Sequence, residues 1–163
     1  MSKPAPAAAA DIQRSTRHAT FVIERVYDAT PARVFAAFAE DDAKLKWFGG
    51  PEEWARTARE FDFRVGGREY HSGGPAGGQQ HVFDARYYDI IPDERIVYAY
   101  EMYLDTTRIS VSLTTVELIP EGSGKTRLKF TEQGVFLDGF DGAAGREEGS
   151  RWLLDKLGAS LKA

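Results

Sequence analysis

The amino-acid sequence predicts an α+β domain in which a curved, seven-stranded antiparallel sheet wraps a long C-terminal helix, with two short helices after the first strand. Three observations predict it. The β-branched and aromatic run TFVIERVYD occupies residues 20–28, period-two segments separated by turn residues follow from residue 57 to 133, and leucines at helical spacing mark residues 143–161. A chain of 163 residues suits one domain, and a hydrophobic fraction of 42% supplies its core.

The elements follow in order. Residues 20–28 form the first strand, ended by Ala29-Thr30-Pro31. Thr30 before Pro31 is an N-cap with proline at the first helical position, and Val34, Phe35 and Phe38 recur at helical spacing. A second short helix over residues 40–48 carries Leu45, Trp47 and Phe48 and is broken by Gly49-Gly50-Pro51. Strands at 57–64 and 68–72 flank Val65-Gly66-Gly67, where glycine supplies a positive φ. After the loop 73–78 comes a strand at 79–91, with Phe83, Ala85 and Tyr87 on one face and Asp84 and Arg86 on the other. Pro92-Asp93-Glu94 turns into residues 95–103, where Tyr98, Tyr100 and Met102 share a face. Strands at 109–119 and 125–133 pair around residues 120–124.

The apolar phase changes within 109–119: Ile109, Val111 and Leu113 are odd, Val116 and Leu118 even. Either a bulge at Thr114-Thr115 reconciles them, or Ser110, Ser112 and Thr114 face inward and polarise a cavity wall. On the last helix, Leu153, Leu154, Leu157 and Leu161 form the apolar stripe, and Arg146 and Ser150 share the face of Leu153 and Leu157. Gly149 costs about 1 kcal/mol against alanine in a helix, a cost explained if the backbone approaches the sheet or a ligand closely.

Composition excludes several function classes. With no cysteine there is no disulfide framework and no thiolate site. A net charge of −4 argues against a broad grip on nucleic acid or anionic membrane. Residues 1–17 read as a disordered Ala/Pro-rich tail without the pattern of a secretory signal, and 18–163 as the single domain, so a cytoplasmic protein is expected. No window has the roughly 18 apolar residues of a membrane span.

Five stretches carry a family resemblance: Arg25 with ATPARVFAAF at 29–38, FDFRVGGREY at 61–70, DIIPDERIVYAYEM at 89–102, SLTTVEL at 112–118 and TRLKFTEQG at 126–134. FLDGFD at 136–141 and the Gly-x-x-x-Leu-Leu of Gly149 to Leu154 extend it. The chain resembles the SRPBCC or START-like (helix-grip, Bet v-like) superfamily, and within it the single-domain bacterial type of the family named after the activator of heat-shock protein ninety ATPase (AHSA-like). The resemblance implies a hydrophobic cavity between sheet and C-terminal helix. It does not imply co-chaperone activity, because the family name comes from relatives with an additional chaperone-binding domain.

The candidate ligand-binding residues are Trp47, Phe63, Tyr70, Phe83, Tyr98, Tyr100, Met102, Glu132, Phe136, Arg146, Ser150, Leu153 and Leu154. Each aromatic alone would serve equally as core. Glu132 has the inward phase of Leu128 and Phe130, so it can meet Arg146 either as a structural ion pair or as a polar anchor. His71 and His81, symmetric about residue 76, could face each other with Glu69 nearby, but three such groups make a poor metal site, and no cofactor motif occurs. The expected function is binding of a small apolar or amphipathic molecule. The alternatives are a cyclase, dehydratase or hydrolase using Glu132 or a cavity tyrosine on an aromatic or polyketide-like substrate, and a co-chaperone-like interaction module. The oligomeric state, a homodimer included, stays open.

Overall fold

A computed structural model describes residues 13–140 and 142–162. Its elements run β1 (Thr16–Tyr27), α1 (Pro31–Ala39), α2 (Asp41–Leu45), β2 (Ala55–Phe61), β3 (Arg68–Gly74), β4 (His81–Ile91), β5 (Arg95–Leu104), β6 (Thr107–Glu121), β7 (Lys125–Leu137) and α3 (Ala143–Ser160). The strands form one antiparallel sheet in the order β1-β7-β6-β5-β4-β3-β2, with the first strand beside the last. This is the expected helix-grip architecture.

Local chemistry sets the boundaries. Thr30 Oγ1 accepts from Arg33 N at 3.2 Å and caps α1, with Pro31 in its first turn. α2 is shorter than residues 40–48 and stops at Leu45, after which Trp47 Nε1 donates to Ala37 O at 2.8 Å and pins the following turn to α1. At the hairpin after β2, Gly66 has φ +82° and a Cβ on Gly67 would lie 2.1 Å from Asp62 O, so both glycines are required.

β1 starts at Thr16, inside the stretch read as tail. β7 runs to Leu137 and pairs with β1 along its whole length, from Thr16 opposite Leu137 to Tyr27 opposite Thr126. Arg14 also pairs with Asp138 at 2.9 Å, and Ser15 N donates to the same carboxylate at 3.1 Å. The first twelve tail residues lie outside the described residues.

No bulge interrupts β6 at Thr114-Thr115. Its pairing with β7 is continuous from Ser110 to Glu121, and Ser110, Ser112, Thr114, Val116 and Leu118 are all buried on one face. The inward face therefore keeps one phase and changes chemistry, from three hydroxyls to two hydrophobes, while Val111 and Leu113 stay on the outer face.

The core gathers where α1 and α3 meet the sheet: Val34 and Phe38 from α1, Leu154 and Leu157 from α3, and Ile23, Val116, Leu118 and Leu128 from the strands. Tyr27 OH donates to Leu154 O at 2.7 Å, fixing α3 across β1. Among the described residues no helix is long and apolar enough to cross a membrane.

Candidate functional site

The core does not fill the space beneath the first half of α3. A cavity of about 1030 Å³ opens there, walled by the turn after α2, residues of β2 to β7, and α3. Ten expected residues border it: Trp47, Phe83, Tyr98, Tyr100, Met102, Glu132, Arg146, Ser150, Leu153 and Leu154. Three do not. Phe63 packs between Phe35, Phe61 and Tyr87 beside α1. Phe136 is buried behind the site, its ring 5.1 Å from the Arg146 guanidinium. Tyr70 is on the opposite face of the sheet, under Arg68 at 4.6 Å, because in β3 it is Glu69 and His71 that point inward.

β5, β6, β7 and α3 together build the polar end. Tyr100 OH donates to Glu132 Oε1 at 2.9 Å and Thr114 Oγ1 donates to the same oxygen at 3.2 Å. Arg146 donates from Nη1 to Tyr100 OH at 2.9 Å and from Nη2 to Ser110 Oγ at 2.8 Å. Glu132 Oε2, with its residue 2% exposed, has no hydrogen-bond partner, and the nearest Arg146 nitrogen is 3.8 Å away. Burial raises the Glu132 carboxyl above its ordinary range, with Arg146, Tyr100 and Thr114 opposing. Burial likewise pushes the Tyr98 and Tyr100 hydroxyls upward, so both remain neutral donors. Ser112 Oγ is also buried without a partner, and Gly134 makes room for it: a Cβ there would lie 2.8 Å from that oxygen.

A second polar cluster sits at the opposite wall. Glu69, 1% exposed, receives Lys44 Nζ at 3.3 Å and the Tyr87 hydroxyl on Oε1, and faces His71 Nε2 at 2.6 Å through Oε2. Lys44 is equally buried, its ammonium over the rings of Phe38, Trp47 and Phe48 at 5.4, 5.0 and 4.5 Å. Burial alone would raise Glu69; Lys44, His71 and Tyr87 outweigh it and hold the carboxyl at about 2. Burial pulls the Lys44 ammonium downward against the pull of Glu69. Sequence reasoning did not find this pair, because Lys44 and Glu69 come together only through the packing of α2 on β3. The inward phase of a charged residue in a strand was the available signal.

His71 and His81 both border the cavity but do not face each other. The hairpin turns two residues out of the expected register, so His71 pairs with Phe83 and His81 with Gly73. His81 stacks on Trp54 at 4.5 Å, while His71 sits against Phe48 at 4.8 Å. Among the described residues no three His, Cys, Asp or Glu side chains group as metal ligands. Gly145 and Gly149 on α3 border the cavity too, and a Cβ on either would meet nothing within 4 Å. Gly149 thus makes no close approach to the sheet and leaves open space at the cavity.

The family model for Activator of Hsp90 ATPase homolog 1-like protein matches residues 28–162. A crystal structure of a Rhizobium loti protein is 47% identical, covering 90% of this chain and 99% of its own, with a TM-score of 0.84. An uncharacterised Rhizobium leguminosarum protein, also 47% identical, covers 92% and 98% with a TM-score of 0.87. A Chromobacterium violaceum protein at 29% identity covers 88% and 97% with a TM-score of 0.72. No curated protein matches the chain.

Proposed function

The chain belongs to the Activator of Hsp90 ATPase homolog 1-like family, and from that premise we propose that it binds a small amphipathic molecule inside the cavity between sheet and α3. The ligand's apolar body lies on Phe83, Tyr98, Met102 and Leu153, and its polar end reaches Glu132 and Arg146. One observation carries the reading: Glu132 Oε2 is buried at the cavity wall with no hydrogen bond. A buried carboxylate oxygen left unpaired costs at least about 1–3 kcal/mol, a penalty that a ligand hydroxyl or N–H donated to it would remove. The gap of 3.8 Å between Glu132 Oε2 and Arg146 Nη1 is too long for a direct hydrogen bond. A hydroxyl seated beside that gap can donate to the carboxylate. A ligand carboxylate would instead meet Glu132 as a like charge.

The test uses a neutral dye, N-phenyl-1-naphthylamine, displaced by 4-octylphenol or by its methyl ether. The phenol is expected to bind roughly tenfold more tightly, the equivalent of about one charge-assisted hydrogen bond. Replacing Glu132→Met should erase that advantage while the ether binds unchanged. Dye that does not bind, or a phenol and ether that displace it equally, would remove the reading.

A further inference from the structure

We propose that His71, oriented by Glu69, is a general base that abstracts a proton from an apolar molecule held in the cavity. The proposal rests on the cavity admitting such a molecule. It concerns the wall opposite Glu132 and groups that ligand binding does not use.

The geometry fixes the chemistry of the imidazole. Glu69 Oε1 already receives Lys44 and Tyr87, and Oε2 is left for His71 Nε2 at 2.6 Å. An ionised carboxylate only accepts, so in the neutral ring the proton sits on Nε2. Nδ1 then carries the lone pair. It meets no hydrogen-bonding group among the described residues and is not one of their buried unpartnered atoms, and the ring borders the cavity between Phe48 and Phe83. A carboxylate behind one ring nitrogen and a lone pair facing a cavity on the other is the arrangement of an oriented base, because the carboxylate stabilises the imidazolium as it forms.

A purely structural cluster would not need the histidine. Lys44 and Glu69 already neutralise each other, and the aromatic box around Lys44 closes without it. His71 adds a group able to accept a proton beside the rings of Phe48 and Phe83. The ring-centroid steps from His71 to Phe83 and from Phe83 to Tyr100 are 6.0 and 4.7 Å, so a molecule anchored at Glu132 and lying along Phe83 reaches His71. Glu69, Lys44 and Tyr87 act as positioning residues. The other charged neighbour acting on His71 is Asp41 of α2, itself paired with Arg59 of β2.

The probe is 5-nitrobenzisoxazole, a compact planar apolar acid. His71 Nδ1 takes the proton from C3, the C–H electron pair completes a nitrile, and the ring N–O bond breaks with its pair leaving on oxygen as a phenolate. The imidazolium then returns its proton to solvent. The expected result is a saturable rate that His71→Gln lowers by about a hundredfold, that imidazole restores in His71→Gly, and that His18→Gln leaves unchanged. Glu69→Gln should lower the rate at saturating probe while leaving KM and dye affinity unchanged, since the ring loses the carboxylate that holds Nε2. N-phenyl-1-naphthylamine fluorescence, measured on every variant, reports the cavity independently. Dye bound normally with no His71-dependent rate overturns the base assignment and leaves the binding reading standing; no dye and no rate removes both.

Discussion

Lys44→Met is the substitution whose consequence the structure determines most fully. The thioether is about the right length to stay in the box of Phe38, Trp47 and Phe48, so little packing is lost. What is lost is the charge that keeps Glu69 ionised. Glu69 lies at about 2 in the folded protein against an ordinary 4.5, held there by Lys44, His71 and Tyr87 together. Removing one partner of a buried pair costs about 3–5 kcal/mol. The pH dependence has a definite sign. In the parent, the Glu69 contribution is complete above 4.5 and fades as pH falls toward 2. In Lys44→Met the folded carboxyl loses the largest of the groups that lower it and titrates above its position in the parent, so less stability is left to lose as pH falls. The stability gap between the two should therefore be greatest near pH 7 and shrink steadily below 4.5. Urea unfolding followed by tryptophan fluorescence at several pH values measures it. Lys44→Met combined with Glu69→Gln should recover part of the loss at pH 7, because no uncompensated charge remains. A deficit under 1 kcal/mol at pH 7, or one that widens in acid, would refute the assignment of Lys44 as the group that holds Glu69 charged.

Two glycines of α3 should respond in opposite directions. Gly149→Ala meets nothing within 4 Å and should stabilise by about 0.5–1 kcal/mol in urea unfolding while weakening dye binding. Gly158→Ala would put a Cβ 2.9 Å from the Tyr27 ring and should destabilise by roughly 1–3 kcal/mol. Tyr70→Ala should leave dye affinity unchanged, whereas Met102→Trp, which fills the cavity, should weaken it at least tenfold; fluorescence titration compares them.

The strand pattern carried the architecture because alternation and helical spacing report which face is buried, and here most inward positions of β4, β5 and β7 are apolar or aromatic. The same rule misled in β3 and could not decide in β6, where consecutive inward residues are polar. In β3 the outward Tyr70 carries the hydrophobic signal and the inward Glu69 and His71 carry charge, so alternation by hydrophobicity points to the wrong face. In β6 it left a bulge and an inward row of hydroxyls equally open, and the backbone is regular with Ser110, Ser112 and Thr114 inward. Both cases have one physical origin: a buried polar face is stable only if another element supplies its partners. Those partners, Lys44 from α2 for Glu69 and Arg146 from α3 for Ser110 and Tyr100, are distant in sequence and invisible to any local pattern. The register of the hairpin after β3 had a similar cause, since Gly77 and not residue 76 sits at its centre with φ +69°, and this separates His71 from His81. A sheet that buries polar side chains on three of its strands, with Lys44 meeting Glu69 and Arg146 meeting Ser110 from helices, has its hydrophobic pattern broken around the cavity. In this fold the aromatic residues that obey alternation, Phe83, Tyr98 and Tyr100, therefore mark the cavity wall, and the breaks in it mark the buried polar clusters on either side.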